Sequence, residues 1–345
     1  MRFLKAFAAA LLLLSLLCGC TLPGPEPTTP PLPDGDGLTV HFIDVGQADC
    51  ALLECDGEYI LIDGGNVEDS SLVVSYLQQQ GVEELAAVVC SHAHEDHVGG
   101  LPGVLAVYPT ETVYAPTRTY SSKCFDDFVY YTDQQGLTIT IPEVGDTISF
   151  GRATAEVLGP VQQYADTNNT SIVLKIRYGT TSFLFTGDME TSAETDLLDS
   201  GADVKADVLK VGHHGSDTST GYRFLYEAEP AYAIISVGTG NSYGHPNEVT
   251  LSRLEDAGCT IYRTDLLGHV IAHSDGEKIT FQWQQSSAAP DTGEKPQTTY
   301  IGNTKSKKLH VEGCASLPSE QNRTIFDSYE AAIQAGYTPC GNCMG

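Results

Sequence analysis

Four times in this chain a short apolar run stops on histidine or aspartate. Residues 86–90 lead into Ser-His92-Ala-His94-Glu-Asp96-His97, and residues 182–185 into Thr-Gly-Asp188. Residues 206–211 lead into Gly-His213-His214-Gly-Ser216, and residues 231–237 into the stretch ending Asn-Ser-Tyr-Gly-His245-Pro246. Short apolar runs bounded by glycine read as buried strands, and a strand end is a stiff mount for a side chain. Taken singly, an Asp after Gly is an ordinary turn and a His-Pro step an ordinary helix start. Four such exits in one domain point instead to one shared site.

The first exit carries the densest chemistry. Neutral imidazoles and carboxylates are ligands that zinc, manganese and iron accept. Two groups of ligands on one turn suit two adjacent ions, His92 with His94 for one and Asp96 with His97 for the other. Gly99 and Gly100 follow and let the backbone turn sharply. The other ligands must come from later exits. Asp188 is placed to bridge two ions.

Around these exits the pattern is many strands and few helices. Further strands are expected at 39–44, 51–53, 59–62, 147–150, 153–158, 171–178, 260–263, 269–273 and 278–283. Helices are expected at 70–80, 190–200 and 247–257. The fold class is therefore α+β, with stacked sheets carrying helices on their outer faces, over one domain at 38–283. Residues 284–299 have no large apolar side chain and read as a linker. Residues 300–345 form a separate, more basic module with Lys305, Lys307, Lys308 and Arg323.

The start of the chain reads as a targeting segment. Arg2 and Lys5 precede an apolar run that is short for a bilayer span. The run ends in Leu-Cys-Gly-Cys, similar to a lipobox, which makes Cys20 the lipidated residue, residues 1–20 the signal and 21–37 a Pro/Gly-rich tether. An ordinary secretory signal is the alternative. Both place the mature chain outside the cytoplasm, at the outer face of the membrane or secreted. Cys50, Cys55, Cys90, Cys124 and Cys259 show no disulfide framework and read as free thiols. The 45 acidic against 18 basic residues give a formal charge of −27, which is not a surface built for polyanions.

Seven stretches carry a specific resemblance: "HFIDVGQADC", "LIDGG", "SHAHEDHVGG", "NNTSIVLKI", "FTGDME", "DVLKVGHHGSDTST" and "ISVGTGNSYGHPNEVTLSRLEDAG". In this order they resemble metallo-β-lactamase-fold hydrolases, in particular the nuclease-like domain of ComEC-type competence proteins. The resemblance implies an αββα sandwich with its site at the strand ends. It implies two divalent metals, zinc or manganese, held by His92, His94, Asp96, His97, a bridging Asp188 and one of the paired histidines, His214 first and His213 otherwise. Asp96 or Asp188 would orient the attacking water. His245 and Ser216 would offset developing charge, and Asp44, Gln47 and Asp49 would orient the ligand imidazoles. Asn168 and Asn169 occupy the region where lactamases carry a further histidine. Ala48 replaces a usual glycine.

The implied activity is metal-dependent hydrolysis of a phosphodiester, DNA first, with cell-surface phosphodiesters such as phosphorylcholine esters as the alternative. A rival of another class is a DNA-binding surface protein with a degenerate site. In the tail, His310-x3-Cys314 and Cys340-x2-Cys343 have the spacing of a structural zinc site, the alternative being a disulfide. The tail resembles the metal-binding module of the Ada DNA-repair protein through "NRTIFDSYEAAIQAGYTPC". His310 stands where that module has a cysteine, so methyl transfer is not implied.

Overall fold

The computed structural model describes residues 37–284, 300–311, 317–326, 332 and 335–340. The chain divides into two compact units at residues 286/287.

In the first unit the strands are β1 Leu38–Phe42, β2 Ala51–Cys55, β3 Glu58–Ile62, β4 Leu85–Val89, β5 Thr110–Tyr114, β6 Thr147–Phe150 and β7 Ala153–Gly159. They continue with β8 Val173–Tyr178, β9 Thr181–Phe185, β10 Val208–Lys210, β11 Tyr232–Ile235, β12 Thr260–Arg263, β13 His269–Ser274 and β14 Ile279–Gln284. They form two seven-stranded sheets, ordered β14-β13-β1-β2-β3-β4-β5 and β12-β11-β10-β9-β8-β7-β6. The helices are α1 Ser70–Gln79, α2 Glu95–Val98, α3 Leu101–Val107, α4 Lys123–Gln134, α5 Thr191–Asp199, α6 Tyr222–Ala228, α7 Glu248–Asp256 and α8 Thr264–Leu267.

The period-2 pattern of the strands decides the layering. Leu53, Ile60, Ile62, Ala87 and Val89 face Ile176, Phe183, Phe185, Val208 and Ile234 across the space between the sheets, and Phe42 stacks on Phe185 with centroids 5.7 Å apart. Their neighbours Leu52, Leu61 and Val88 point the other way, onto Val73 and Leu77 of α1, Val104 of α3 and Phe125 and Phe128 of α4. On the far side Leu184, Leu209 and Ala233 meet Leu197 of α5, Phe224 of α6 and Leu254 of α7. The result is the expected αββα sandwich. No described helix is long and apolar enough to cross a membrane.

The expected strands appear within a residue or two of their places, but α3, β5 and α4 of residues 101–134, and helices α6 and α8, are elements that the pattern did not show. Helix α3 opens Leu-Pro-Gly, which reads as a turn. Gly103 is there because a Cβ would lie 1.8 Å from Ser70 Oγ, so only glycine lets α3 pack this closely on α1. The N-cap of α4 is legible with hindsight: Ser122 Oγ accepts the Phe125 N–H. Cys50, Cys55, Cys90 and Cys124 are buried free thiols.

In the second unit β15 Tyr300–Asn303, β16 Lys308–Val311, β17 Arg323–Phe326 and β18 Thr338–Pro339 form a sheet ordered β17-β15-β16-β18. Leu309, Ala332 and Tyr337 make its small core. His310 and Cys340 are buried, and the Cys340 N–H donates to the Leu309 carbonyl at 2.9 Å, which sets the two candidate ligands close in the sheet. Cys314, Cys343, the lipobox with Cys20, residues 21–36 of the tether and 285–299 of the linker lie outside the described residues, whereas Gln284, expected to begin the linker, ends β14.

Candidate metal centre

Five strands deliver the site. The exit of β4 carries His92 and His94, and His94 caps the single turn of α2, which presents Asp96 and His97. The exit of β3 carries Asp63 across that turn. Contact between the two exits is so close that a Cβ on Gly100 would sit 2.0 Å from the Gly64 carbonyl oxygen, and Gly64 N–H donates to the His97 carbonyl at 2.7 Å. The exits of β9, β10 and β11 bring Asp188, the His213–His214 turn and His245.

These residues converge. The ligand atoms of Asp96, His97, Asp188 and His214 all lie within 4.8 Å of one another. His97 Nε2 is 3.3 Å from Asp188 Oδ1, and His214 Nε2 is 3.3 Å from Asp96 Oδ2 and 3.9 Å from Asp188 Oδ2. Next to them, His92 Nε2 lies 3.1 Å from His94 Nδ1 and 3.8 Å from Asp188 Oδ2. Asp188 thus faces His97 and His214 on one side and His92 on the other.

The opposite ring nitrogens are pinned. His97 Nδ1 is 2.8 Å from Asp63 Oδ2, and Asp63 also accepts the Ser91 N–H and Oγ–H at 2.7 Å each. His214 Nδ1 is 3.0 Å from the Ser236 carbonyl and 3.3 Å from Asp49 Oδ1. Asp49 in turn pairs with the buried Lys210 ammonium at 2.8 Å. Pinning Nδ1 fixes the tautomer and aims the Nε2 lone pair at the cluster. Ser171 Oγ accepts the Asp188 N–H at 3.0 Å.

Charge inside the cluster is unbalanced. Four carboxylates, of Asp49, Asp63, Asp96 and Asp188, face one buried ammonium, that of Lys210. Burial pulls the His214 imidazole down, yet Asp188 and Asp49 outweigh it and hold it up at about 10. His97 is likewise driven well above the ordinary range, against burial, by Asp188, Asp63 and Asp96. Burial raises Asp96, but His97 and His214 bring it to about 2. His92 goes the other way, pushed well down by burial and by His97.

A cation fits this arrangement. His97 Nε2, His214 Nε2 and Asp188 Oδ1 are buried and make no hydrogen bond, although His97 Nε2 and Asp188 Oδ1 are 3.3 Å apart. Buried polar atoms left this way are costly unless something else meets them. Divalent ions would satisfy the imidazole lone pairs and offset the excess negative charge together.

Not every expected residue lies in the cluster. Gln47 Oε1 accepts the Gly238 N–H at 3.1 Å, tying the β1 exit to the loop after β11. Asp44 Oδ1 accepts the Gly46 N–H in its own turn. Of the three residues expected to orient imidazoles, Asp49 is the one seen against a cluster histidine. Ser216 Oγ accepts the Thr218 N–H at 3.3 Å, inside its own loop. Asn169 is buried and its Oδ1 accepts the Glu190 N–H at 3.0 Å. His245 borders the site through His213, with ring centroids 5.6 Å apart, and its Nδ1 is buried without a hydrogen bond. Asp63, Ser91, Ser171, Lys210 and Glu190 were not singled out from sequence. Asp63 had a signal, since it ends an apolar run and precedes two glycines as the other exits do.

The family model described as "Metallo-beta-lactamase superfamily" matches residues 43–239. ComE operon protein 3 of Bacillus subtilis is 30% identical over 250 residues, covering 67% of this chain and 32% of that protein. Competence protein ComA of Neisseria gonorrhoeae is 32% identical over 228 residues, covering 65% of this chain and 30% of that protein. The chain therefore spans about a third of the length of these relatives. Among solved structures, the metallo-beta-lactamase fold protein YhfI from Bacillus subtilis aligns with a TM-score of 0.49 at 13% identity, covering 70% of this chain and 100% of that one. On the family match over residues 43–239, this chain belongs to the metallo-beta-lactamase superfamily and is a hydrolase of that fold.

Proposed function

We propose that this chain is a metal-dependent phosphodiesterase that acts on nucleic acid, DNA first, at the outer face of the cell membrane, anchored through Cys20. The observation that carries the hydrolytic part is the ring of buried, unbonded Nε2 and carboxylate atoms around Asp188. The likeness to competence proteins supports the substrate.

Two divalent ions, zinc or manganese, would supply a water acidified toward neutrality and positive charge opposite the phosphoryl oxygens. His92 and His94 would hold one, Asp96, His97 and His214 the other, with Asp188 between. The chain's own residues do the rest. Asp96 has a side chain 33% exposed and so faces the open side. At about 2 it stays ionised, so it accepts a hydrogen bond from the attacking water and orients it, and does not keep the proton. Asp63 and Asp49 hold His97 and His214 in register. His245, at the rim beside the stacked Tyr243 ring, is placed to meet the leaving side of the substrate.

A groove of 760 Å³ starts at Ala93, between the two histidines of β4's exit, and runs past Tyr120, Gln162, Tyr164 and Thr170. Its lining includes Glu143 and, among the described residues, no lysine or arginine. Recognition there rests on ring stacking and neutral hydrogen bonds, which suits an unpaired strand better than a duplex. The bases of the tail, in a module held by zinc on His310, Cys314, Cys340 and Cys343, would add phosphate contacts. Glu143 and the rings of Tyr120 and Tyr164 in this lining also favour a second reading, a cell-surface phosphodiester with a cationic headgroup such as phosphorylcholine.

The test is parallel turnover of single-stranded DNA, duplex DNA, RNA, a phosphorylcholine ester and nitrocefin by the metal-loaded protein. Cleavage of single-stranded DNA above the others is expected. Turnover of nitrocefin alone would reject a phosphodiesterase, and turnover of the phosphorylcholine ester alone would select the second reading.

A further inference from the structure

The two histidines of the β10 exit share an unusual backbone. His213 lies at φ 50°, ψ 47° and His214 at φ 52°, ψ 23°, both in the left-handed region. Each such non-glycine residue costs on the order of 1–2 kcal/mol, and strain of this kind persists where the surroundings hold it for a purpose. The consequence here is that consecutive side chains converge on one carboxylate oxygen. His213 Nε2 is 3.7 Å and His214 Nε2 3.9 Å from Asp188 Oδ2, and His92 Nε2 reaches the same atom at 3.8 Å.

His213 is also built like a ligand. Its Nδ1 lies 3.3 Å from Thr218 Oγ1 and 3.5 Å from Glu190 Oε1, while Nε2 turns toward Asp188. That resembles His97 on Asp63 and His214 on the Ser236 carbonyl, an oxygen behind Nδ1 and Nε2 toward Asp188. Glu190 is itself fixed, with its N–H on Asn169 Oδ1 at 3.0 Å and its Oε1 accepting Thr218 Oγ1–H at 3.1 Å. The two ion positions are otherwise unequal. Asp96, His97, Asp188 and His214 give four protein donors to one. For the other, His92 Nε2 lies 3.8 Å from Asp188 Oδ2, and His94 Nδ1 lies 3.1 Å from His92 Nε2.

We propose that His213 supplies the fourth donor of the position formed by His92, His94 and Asp188, so that consecutive histidines of one turn serve two different ions. This rests on the two-metal reading of the site and is independent of the substrate.

The experiment counts zinc per chain by mass spectrometry after equilibration of the full chain at a fixed low free zinc concentration. It uses wild type, His213→Gly and His245→Ala. Glycine removes the donor and relaxes the left-handed backbone, and a thermal melt of the metal-free variant reports on folding. Wild type and His245→Ala should hold two zinc ions, and His213→Gly one, with its weaker ion bound ~100-fold or more less tightly, beyond the cost of losing an outer partner. Glu190→Gln should weaken the same ion by ~10-fold. Cobalt-substituted His213→Gly should change the visible absorption of one ion only. Two zinc ions held by His213→Gly with wild-type affinity would overturn the assignment and leave the two-metal site standing. A single zinc ion in wild type would overturn both.

Discussion

Replacing Asp63 with Asn tests whether the metal affinity is set from behind the ligands. The change keeps the shape of the side chain. Asp63 accepts three hydrogen bonds, from His97 Nδ1 at 2.8 Å and from Ser91 N–H and Oγ–H at 2.7 Å each. An amide has one acceptor atom. If its NH2 faces His97, two donors meet, or His97 moves its proton to Nε2 and loses the lone pair aimed at Asp188. If the amide flips, its NH2 meets the Ser91 N–H instead. Either way a buried donor is left unmet or the ligand is in the wrong tautomer. Loss of such an outer partner weakens metal binding by about 10–100-fold. At 1.4 kcal/mol per tenfold that is about 1.4–2.8 kcal/mol. The assay is competition between the protein and a chromophoric chelator for zinc, with Asp63→Asn and wild type side by side and a melt of each metal-free protein as the folding check. The reasoning is refuted if a folded Asp63→Asn binds both ions within twofold of wild type.

Other consequences follow from the same contacts. Metal-free His97 and His214 are held well above the ordinary range, His214 at about 10, so both carry a proton at pH 7. Ion binding there should release about two protons and tighten as pH rises, which calorimetry in buffers of different ionisation enthalpy measures. For the metal-free fold the sign is opposite. The raised His214 value gives stability present in full below 6.5 and lost as pH rises through about 10, visible as a falling melting temperature that His214→Ala flattens. Lys210→Met would strand the buried Asp49 carboxylate, at 2.8 Å its partner, and should cost about 3–5 kcal/mol in urea unfolding of the metal-free protein. Gly103→Ala sets a methyl against Ser70 Oγ and should cost about 1–3 kcal/mol, most of it recovered in Gly103→Ala/Ser70→Ala, because the clash is with the hydroxyl.

Much of the site was legible in the sequence because its ligands sit on strand exits, where an apolar run and a polar stop stand side by side. Asp96, His97, Asp188 and His214 lie in one cluster, with His92 3.8 Å from Asp188 and His94 beside His92. The residues behind them were harder to see. Ser91 and Ser171 look like ordinary loop serines, and Lys210 lies in the middle of an apolar run with no sign that Asp49 meets it. Those pairings are set by tertiary approach, which no local period records. Gln47 shows the converse. It stands in a motif near the ligands, yet its side chain braces the Gly238 loop. The helices of residues 101–134 were hidden for a related reason, since Gly103 looks like a breaker until α1 is placed against it.

The central claim is hydrolysis of phosphodiesters by metal held around Asp188. The most direct measurement is turnover of bis-p-nitrophenyl phosphate by the full chain, stripped of metal and then reloaded with zinc or manganese, beside Asp96→Ala and Asp188→Ala. We expect no turnover in the stripped protein, turnover that rises with added metal in wild type, and a fall of ~100-fold or more in both variants, since each loses a charged group that faces the reacting centre. Equal turnover with and without metal, or wild-type turnover in Asp188→Ala, would contradict it.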